Sequence, residues 1–263
     1  MRIIDAHAHI FPDKIADKAS EAIGDFYDLP MNSGGGSKTL LEQEKECGVE
    51  KMLVCSSALG AKNVESINTF IASEVAAHPE FVGLATLHKD YENYKEEIAR
   101  IKELGLKGIK FHSDMQKTDI DDKALYPVYE EIQKQNLPVL LHMGDDRYDY
   151  SSPARMVKVA KDFPGITFIG AHFGGYLRWH ESIDNPLLDN VYYDTCSSLA
   201  FMKKGQAEEF INRFGADRFF FGTDFPMWDT KGEIERFMAL DLDEEAKQMI
   251  LYGNFARVFG ICD

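Results

Sequence analysis

Cysteine is scarce in this sequence, and the few cysteines lie far apart. They are Cys47, Cys55, Cys196 and Cys262, and no two of them form a Cys-x-x-Cys spacing. This scatter argues against a zinc ribbon and a disulfide framework, because both need several cysteines at close and regular spacings. We therefore expect reduced thiols and a cytoplasmic protein.

Basic residues are few in comparison with acidic ones. The chain has 29 Lys and Arg against 44 Asp and Glu, which gives a formal net charge of −15 and a pI near 5.0. Nucleic-acid backbones are bound mainly through clustered Lys and Arg side chains. The composition therefore argues against a nucleic-acid partner.

Long hydrophobic runs are also missing. Apolar stretches such as residues 138–141 and 219–221 are far shorter than the roughly 18 apolar residues that a membrane helix needs. The chain starts directly on an apolar strand pattern, without the charged region, apolar core and cleavage site of a secretory signal. We expect no membrane association.

Short apolar segments rich in β-forming residues recur along the chain, with amphipathic stretches between them. The eight segments are residues 3–7, 51–55, 81–86, 106–112, 138–142, 166–172, 191–195 and 219–223. Each is nearly continuous in apolar residues, as is typical of parallel strands that are buried on both faces. Helical spacing of apolar residues predicts helices in residues 91–104, 124–135, 153–163 and 206–214.

The alternation of strands and helices has two common solutions, a closed barrel and a doubly wound open sheet. The Gly-x-Gly-x-x-Gly turn that would follow the first strand of a nucleotide-binding open sheet is absent from this sequence. We therefore predict the α/β class and a single-domain (β/α)8 TIM barrel over residues 1–263.

Two segments lie outside the regular alternation. Residues 28–38 are rich in Gly and Ser and predict a flexible loop, since no Gly-Lys-Ser/Thr motif supports phosphate binding there. Residues 243–260 predict closing C-terminal helices, with Asp243 as a cap.

Polar side chains occur at the ends of four predicted strands. They are His7 and His9, His142, His172 and Asp224. Active sites of barrels lie at the carboxyl ends of the strands, and the two-residue period of a strand places His7 and His9 on one face. Burying several unpaired polar groups there costs several kcal/mol, roughly, unless they coordinate a metal. Nitrogen and carboxylate ligands suit one divalent metal ion, zinc best, with manganese, iron or cobalt as alternatives.

Ordered motifs carry a family resemblance across the whole chain. They are Asp5-x-His7-x-His9, Gly108-Ile-Lys-Phe-His112, Leu141-His142-Met-Gly144, Gly170-Ala-His172-Phe-Gly-Gly175, Tyr193-Asp-Thr195, Gly222-Thr-Asp224-Phe-Pro226 and Gly253-Asn-Phe-Ala-Arg-Val-Phe259. With these motifs the chain resembles the amidohydrolase superfamily, in its amidohydrolase-2 branch of hydrolases, lactonases and decarboxylases. The resemblance implies that His7, His9, His142 and Asp224 surround the metal, and that His172 is a ligand or a catalytic acid or base.

Lys110 and His112 lie two residues apart on the fourth predicted strand, so they are expected on the same face of it. In binuclear relatives, a carboxylated lysine on this strand bridges two metal ions. A lysine at the rim can equally pair with a carboxylate or hold a substrate anion. We predict one metal ion and keep Lys110 as an alternative ligand or a substrate-binding residue.

The main functional prediction is hydrolysis of an amide, ester or lactone carbonyl in a small molecule. In this reaction Asp224 takes a proton from the attacking water, and His172 or His112 stabilises the oxyanion.

Two other functions stay open at this point. One is non-oxidative decarboxylation of a small carboxylic acid, which calls for an arginine near the rim, and Arg147, Arg155 and Arg178 are candidates. The other is a non-catalytic metal-binding barrel, since a fold does not fix a function. The predicted substrate-binding residues are Lys110, Arg147, Arg178 and Trp228. If the chain self-associates, we expect a homodimer.

Overall fold

In the computed structural model, residues 1–261 are described, and Cys262 lies outside them. Each of the eight predicted segments contains a strand. Within the described residues the strands are β1 (Ile4–His9), β2 (Lys51–Cys55), β3 (Phe81–Gly83), β4 (Ala85–Thr86), β5 (Ile109–Phe111), β6 (Val139–Leu141), β7 (Phe168–Gly170), β8 (Val191–Asp194) and β9 (Phe219–Phe220). The third predicted segment is divided at Leu84, because β3 and β4 belong to different hydrogen-bonded sheets.

Helices separate most of these strands. They are α1 (Ala16–Tyr27), α2 (Ser37–Glu46), α3 (Val64–Ala77), α4 (Tyr94–Glu103), α5 (Ser113–Gln116), α6 (Tyr126–Lys134), α7 (Pro153–Asp162), α8 (Trp179–Ser182), α9 (Gln206–Phe214), α10 (Thr230–Met238), α11 (Glu244–Gln248) and α12 (Asn254–Phe259). The four helices predicted from periodicity are α4, α6, α7 and α9. None of the helices in residues 1–261 is both long and apolar enough to span a bilayer.

The chain forms two compact units. The first comprises residues 1–55, 74–82 and the chain from Thr195 onward. In this unit β1 pairs in parallel with β2, and β3 follows β2 in the same sheet. On its other side β1 is joined by residues 221–225, since the amide of Ala6 donates to Phe221 at 2.8 Å and that of Asp224 donates to His7 at 2.8 Å. The polar ends of the first and the last strand segments are therefore neighbours.

The second unit comprises residues 56–73 and 83–194. Its strands β4 to β8 lie in sequence order, and each pairs in parallel with the next. Ile109, Leu140 and Ile169 in these strands are almost fully buried, as expected of a parallel sheet covered on both faces. The parallel direction brings the residues that follow β5, β6 and β7 to one edge of the sheet.

The predicted loop at residues 28–38 begins after α1, and its last two residues form the first turn of α2. It packs closely at Gly35, whose carbonyl accepts the amide of Phe11 at 2.8 Å. A Cβ atom at Gly35 would lie 2.6 Å from the Phe11 ring, so the close approach requires glycine. The mobility of this loop stays a prediction.

The segment after α10 contains α11, a π-helical turn (Met249–Gly253) and α12. Asp243 caps α11 and accepts the amide of Ala246 at 2.7 Å. The Asn254 side chain donates to the carbonyls of Ala216 and Phe219, each at 2.8 Å. These bonds hold the C-terminal helices to the start of the last strand.

Candidate active site

A first group of metal-type side chains lies in the first unit, where β1 and the segment after β9 run side by side. Nε2 of His7 is 3.2 Å from Nε2 of His9. Oδ1 of Asp224 is 3.6 Å from the first of these nitrogens and 3.4 Å from the second. The side chains of His9 and Asp224 stay 13% and 12% exposed, so the group is accessible from one side.

These three atoms match the spacing of ligands around one divalent ion. With metal–ligand distances near 2.1 Å, neighbouring ligand atoms in tetrahedral or octahedral sites are about 3.0 to 3.5 Å apart. The two imidazole nitrogens and the carboxylate oxygen suit zinc and manganese equally in chemical type. The residues present therefore fit a metal ion.

A fully buried carboxylate, Asp5, fixes this arrangement. It accepts the amide of Thr223 at 2.9 Å, the hydroxyl of Thr223 at 2.6 Å and the amide of His7 at 3.0 Å. Burial raises the pKa of Asp5 to about 6, against the opposing effect of these hydrogen bonds. Asp5 thus ties the first strand to the segment that carries Asp224.

Glu44 of α2 is a second buried carboxyl group near Asp5. It accepts the hydroxyl of Thr230 at 2.7 Å. Its burial, and then the charge of Asp5, raise its pKa well above the usual range. Glu44 therefore keeps its proton to a higher pH than an exposed glutamate does.

The other oxygen of Asp224 is held by a serine that the sequence did not single out. The Ser197 hydroxyl donates to Oδ2 of Asp224 at 2.5 Å and accepts Nε1 of Trp228 at 2.9 Å. Ser197 and Asp224 both have left-handed backbone, with φ of 50° and 61°. Trp228, a predicted substrate-binding residue, is thereby linked to a predicted metal ligand through one hydroxyl group.

A second group of polar side chains lies in the second unit, beyond β5, β6 and β7. Nδ1 of His142 is 3.0 Å from Nε2 of His172, and Nε2 of His142 is 3.5 Å from Oδ2 of Asp114. The ring of His112 stacks on that of His142, with centroids 4.0 Å apart and planes 8° apart. His112, His142 and His172, all predicted as site residues, are thus brought together and buried.

Asp114 is the residue of this group that sequence reasoning missed. Oδ2 of Asp114 accepts the hydroxyl of Ser151 at 2.5 Å, and burial raises the pKa of Asp114 to about 7. The available signal was its position two residues after His112, at the end of the same strand segment. A short helix there, α5, turns the side chain toward His142.

His172 is held in an unusual backbone conformation. Its φ is 61°, its amide donates to Oδ1 of Asp194 at 2.8 Å, and its carbonyl accepts Nε1 of Trp179 at 3.0 Å. A non-glycine residue keeps such a conformation only where its surroundings impose it. The imidazole is therefore placed by the fold.

The predicted substrate-binding cations differ in their surroundings. Lys110 is fully buried in β5. Arg147 forms a two-pronged ion pair with Asp145, with Nη2 at 2.6 Å from Oδ2. Arg178 pairs with Glu181 at 2.7 Å and with Asp149 at 3.0 Å. Both guanidinium groups line a surface cleft of about 410 Å³, so part of each faces solvent.

Arg155, the remaining arginine candidate, has a different set of partners. Its guanidinium group contacts carboxylates of Asp119, Asp121 and Asp149. Several acidic partners surround this side chain, and the cleft that Arg147 and Arg178 line does not include it.

Comparison with known proteins identifies the family. A family model described as amidohydrolase matches residues 4–261. The chain is a member of the amidohydrolase family. It is therefore an enzyme of the amidohydrolase superfamily, as the resemblance of its motifs implied.

Two relatives of this amidohydrolase-family chain are a decarboxylase and a hydratase by name. It is 36% identical over 237 residues to 2-amino-3-carboxymuconate-6-semialdehyde decarboxylase of Dictyostelium discoideum, an alignment over 74% of this chain and 66% of that protein. It is 25% identical over 243 residues to 2-keto-4-carboxy-3-hexenedioate hydratase of a Sphingobium species, over 74% and 70% of the two chains. The aligned part thus spans just under two thirds of the Dictyostelium protein.

A solved structure of similar fold is dihydroxybenzoic acid decarboxylase of a Polaromonas species, which was crystallised with manganese and the inhibitor 2-nitroresorcinol. It has a TM-score of 0.77 and 18% sequence identity, over 99% of this chain and 97% of that one. The predicted fold is confirmed: this amidohydrolase-family chain has the α/β TIM-barrel fold.

Proposed function

We propose that this enzyme is a metal-dependent, non-oxidative decarboxylase of a small carboxylic acid. The observation that carries the proposal is the convergence of His7, His9 and Asp224 at the spacing of metal ligands. The reaction type is supported by the decarboxylases among the relatives and the similar structures. The main prediction from sequence is hydrolysis, but these relatives favour decarboxylation.

We assign His7, His9 and Asp224 as ligands of one divalent ion. The sequence predicts His142 as a fourth ligand, and this stays a prediction, since its two ring nitrogens face His172 and Asp114. The sequence prediction is zinc, but the manganese in the Polaromonas decarboxylase makes manganese the first ion to test. When bound, the ion supplies positive charge that holds a substrate oxygen and stabilises the negative charge left as carbon dioxide departs.

The chain's own residues supply orientation and a proton. In decarboxylation the bond between carbon and carboxylate breaks, its electron pair stays on the carbon, and a proton must then reach that carbon. We assign His172 as the acid that donates it. His142, 3.0 Å from His172, orients the imidazole of His172. The ring of His112 stacks on His142 and limits the movement of the His142 ring.

Substrate recognition is assigned to the remaining predicted residues. Arg147, Arg178 or Lys110 pairs with a second anionic group of the substrate, and Trp228 offers an apolar face. A small-molecule substrate is the proposed partner, and a homodimer stays a prediction.

The test combines metal analysis with product detection. Purified wild type is compared with the His7→Ala/His9→Ala double variant for metal content, and manganese-loaded protein is assayed for carbon dioxide release from small unsaturated and aromatic carboxylic acids. We expect about one metal equivalent per chain, lost in the double variant, together with release of carbon dioxide.

Other results would change the assignment. Cleavage of esters, lactones or amides without carbon dioxide release would replace the proposal with the hydrolase function. Two metal equivalents would make Lys110 a bridging ligand. Metal binding without turnover on any panel would favour the non-catalytic barrel.

A further inference from the structure

Both histidines of β1 have a cysteine sulfur beside the ring nitrogen that points away from Asp224. Sγ of Cys196 is 3.2 Å from Nδ1 of His7, and Sγ of Cys55 is 3.7 Å from Nδ1 of His9. The same rings direct Nε2 toward Asp224. The two imidazoles therefore have the same orientation, with Nε2 toward the carboxylate and Nδ1 toward a thiol.

The strand geometry explains how the two sulfurs reach these positions. In the parallel pair of β1 and β2, Cys55 is the register partner of His9. On the other side, Gly222 separates His7 from Cys196, and a Cβ atom at Gly222 would lie 3.0 Å from Cβ of His7 and 3.4 Å from Cβ of Cys196. The absence of a side chain at Gly222 lets the thiol approach the ring.

A neutral imidazole carries one N–H group and one lone pair, and a metal ion needs the lone pair. Binding through Nε2 requires the proton on Nδ1, which in turn needs a buried acceptor. In metal sites that acceptor is commonly a carboxylate, a backbone carbonyl or water. Here a sulfur atom occupies the position beside each Nδ1, and both thiols are fully buried.

The hydrogen-bond directions around Cys55 are consistent with this role. Sγ of Cys55 lies 3.6 Å from the carbonyl oxygen of Ala8, which can only accept. The thiol proton is therefore directed to Ala8, and the sulfur lone pairs are left for Nδ1–H of His9. In the contact between His9 and Cys55, Nδ1–H is therefore the donor and the sulfur is the acceptor.

We infer that Cys196 and Cys55 are positioning residues, whose sulfurs accept Nδ1–H of His7 and His9 and so present Nε2 of both rings to the metal. The inference rests on the proposed metal site. It contrasts with a pure packing role, in which a buried cysteine acts as a small apolar side chain.

Manganese affinity, measured by competition with a chelating indicator, distinguishes the two roles. Cys196→Ala removes the acceptor, and we expect a loss of affinity of about 10- to 100-fold, the usual effect of losing such a partner. Cys196→Ser keeps an acceptor and should bind more tightly than Cys196→Ala. A packing role predicts the reverse order, because serine buries a hydroxyl group where alanine buries none. Cys55→Ala should lose less affinity, since its contact is longer.

Two controls accompany this measurement. Cys47→Ser changes a partly exposed thiol and should leave affinity unchanged. Circular dichroism checks that each variant is folded, and if Cys196→Ala does not fold, the comparison of Cys55→Ala with Cys55→Ser decides.

The near-ultraviolet and visible absorption spectrum of the cobalt-loaded protein gives a readout that does not depend on turnover. We expect histidine and oxygen ligation, without a sulfur-to-cobalt charge-transfer band, in the wild type. Such a band, lost in Cys196→Ala, would overturn the inference by making Cys196 a ligand.

The remaining outcomes are also decisive. Equal affinity of wild type and both alanine variants would overturn the inference alone. Absence of metal binding by the wild type would overturn the proposed metal site and the inference with it.

Discussion

Nδ1 of His142 and Nε2 of His172 lie 3.0 Å apart. At this distance the two nitrogens share one proton or a cation, because two lone pairs or two N–H groups would repel each other. The opposite nitrogen of His142 faces Asp114. The protonation of His172 is therefore coupled to a chain of buried polar groups.

The assignment of His172 as the acid predicts a separation between binding and turnover. His172→Asn should lower kcat at least about 100-fold, since it removes the proton donor, while manganese affinity changes little. His78→Asn changes a histidine just after α3 whose side chain is 36% exposed and should have wild-type kinetics. Steady-state kinetics and metal titration measure both effects. Loss of metal from His172→Asn would instead identify His172 as a ligand.

The bonds of Asp5 predict a large effect on stability. Asp5→Ala leaves the amides of His7 and Thr223 and the Thr223 hydroxyl without their buried acceptor. We expect the free energy of unfolding in urea to fall by about 3 to 5 kcal/mol in Asp5→Ala. Thr223→Val removes one donor to Asp5 and the acceptor of the Phe225 amide, and we expect a smaller fall of about 2 kcal/mol. Equal losses in the two variants would contradict the central role of Asp5.

The strand pattern could be predicted because buried parallel strands leave continuous apolar runs in the sequence. The division at Leu84 could not, because the one glycine in residues 81–86, Gly83, indicates a bulge within a strand as readily as a break in pairing. The break arises from pairing, since β3 and β4 join different sheets. The last strand is shorter than predicted, because its regular part ends at Phe220, and residues 221–225 continue beside β1 through separate backbone hydrogen bonds.

The histidines and Asp224 could be found because they end predicted strands. Asp114, Ser197 and Cys196 could not be assigned roles, because their directions depend on turns after the strands. Ser197, for example, reaches Asp224 from a backbone with φ of 50°. Such a turn leaves no periodic pattern in the sequence. The roles of its side chains follow from their contacts in the folded structure, which the sequence does not show.

The buried Glu233 of α10 predicts a pH dependence of stability. Burial raises its pKa from 4.5 to about 7, although Arg236 donates to it at 2.9 Å. The folded chain then binds this proton more tightly than the unfolded chain, so the contribution of Glu233 to stability is lost as pH rises from about 4.5 to about 7.

Glu233→Gln removes this titration. Between about pH 5 and pH 8, the unfolding free energy of both metal-free proteins is measured. We expect it to fall by about 2 to 3 kcal/mol more in the wild type than in Glu233→Gln. Urea unfolding across this range measures the difference, with the exposed Glu42→Gln as control. Parallel profiles for wild type and Glu233→Gln would contradict the prediction.

Gly144 predicts an intolerance to substitution in the loop after β6. Its φ is +83°, and a Cβ atom would lie 2.2 Å from the backbone nitrogen of Tyr176. Gly144→Ala should destabilise the protein by about 2 kcal/mol or more. Gly60 has an extended backbone with φ of −164° and open surroundings, so Gly60→Ala should cause no loss. Thermal unfolding compares the two, and similar melting temperatures would refute the expectation.

Three site residues, His172, Ser197 and Asp224, hold left-handed backbone without being glycine, with φ of 61°, 50° and 61°. Glycine would adopt the same conformation at a cost lower by roughly 1 kcal/mol at each position. Selection for thermal stability alone would therefore drive these codons toward glycine. In descendants of this gene, the persistence of histidine, serine and aspartate at these positions would record continued selection for the reaction.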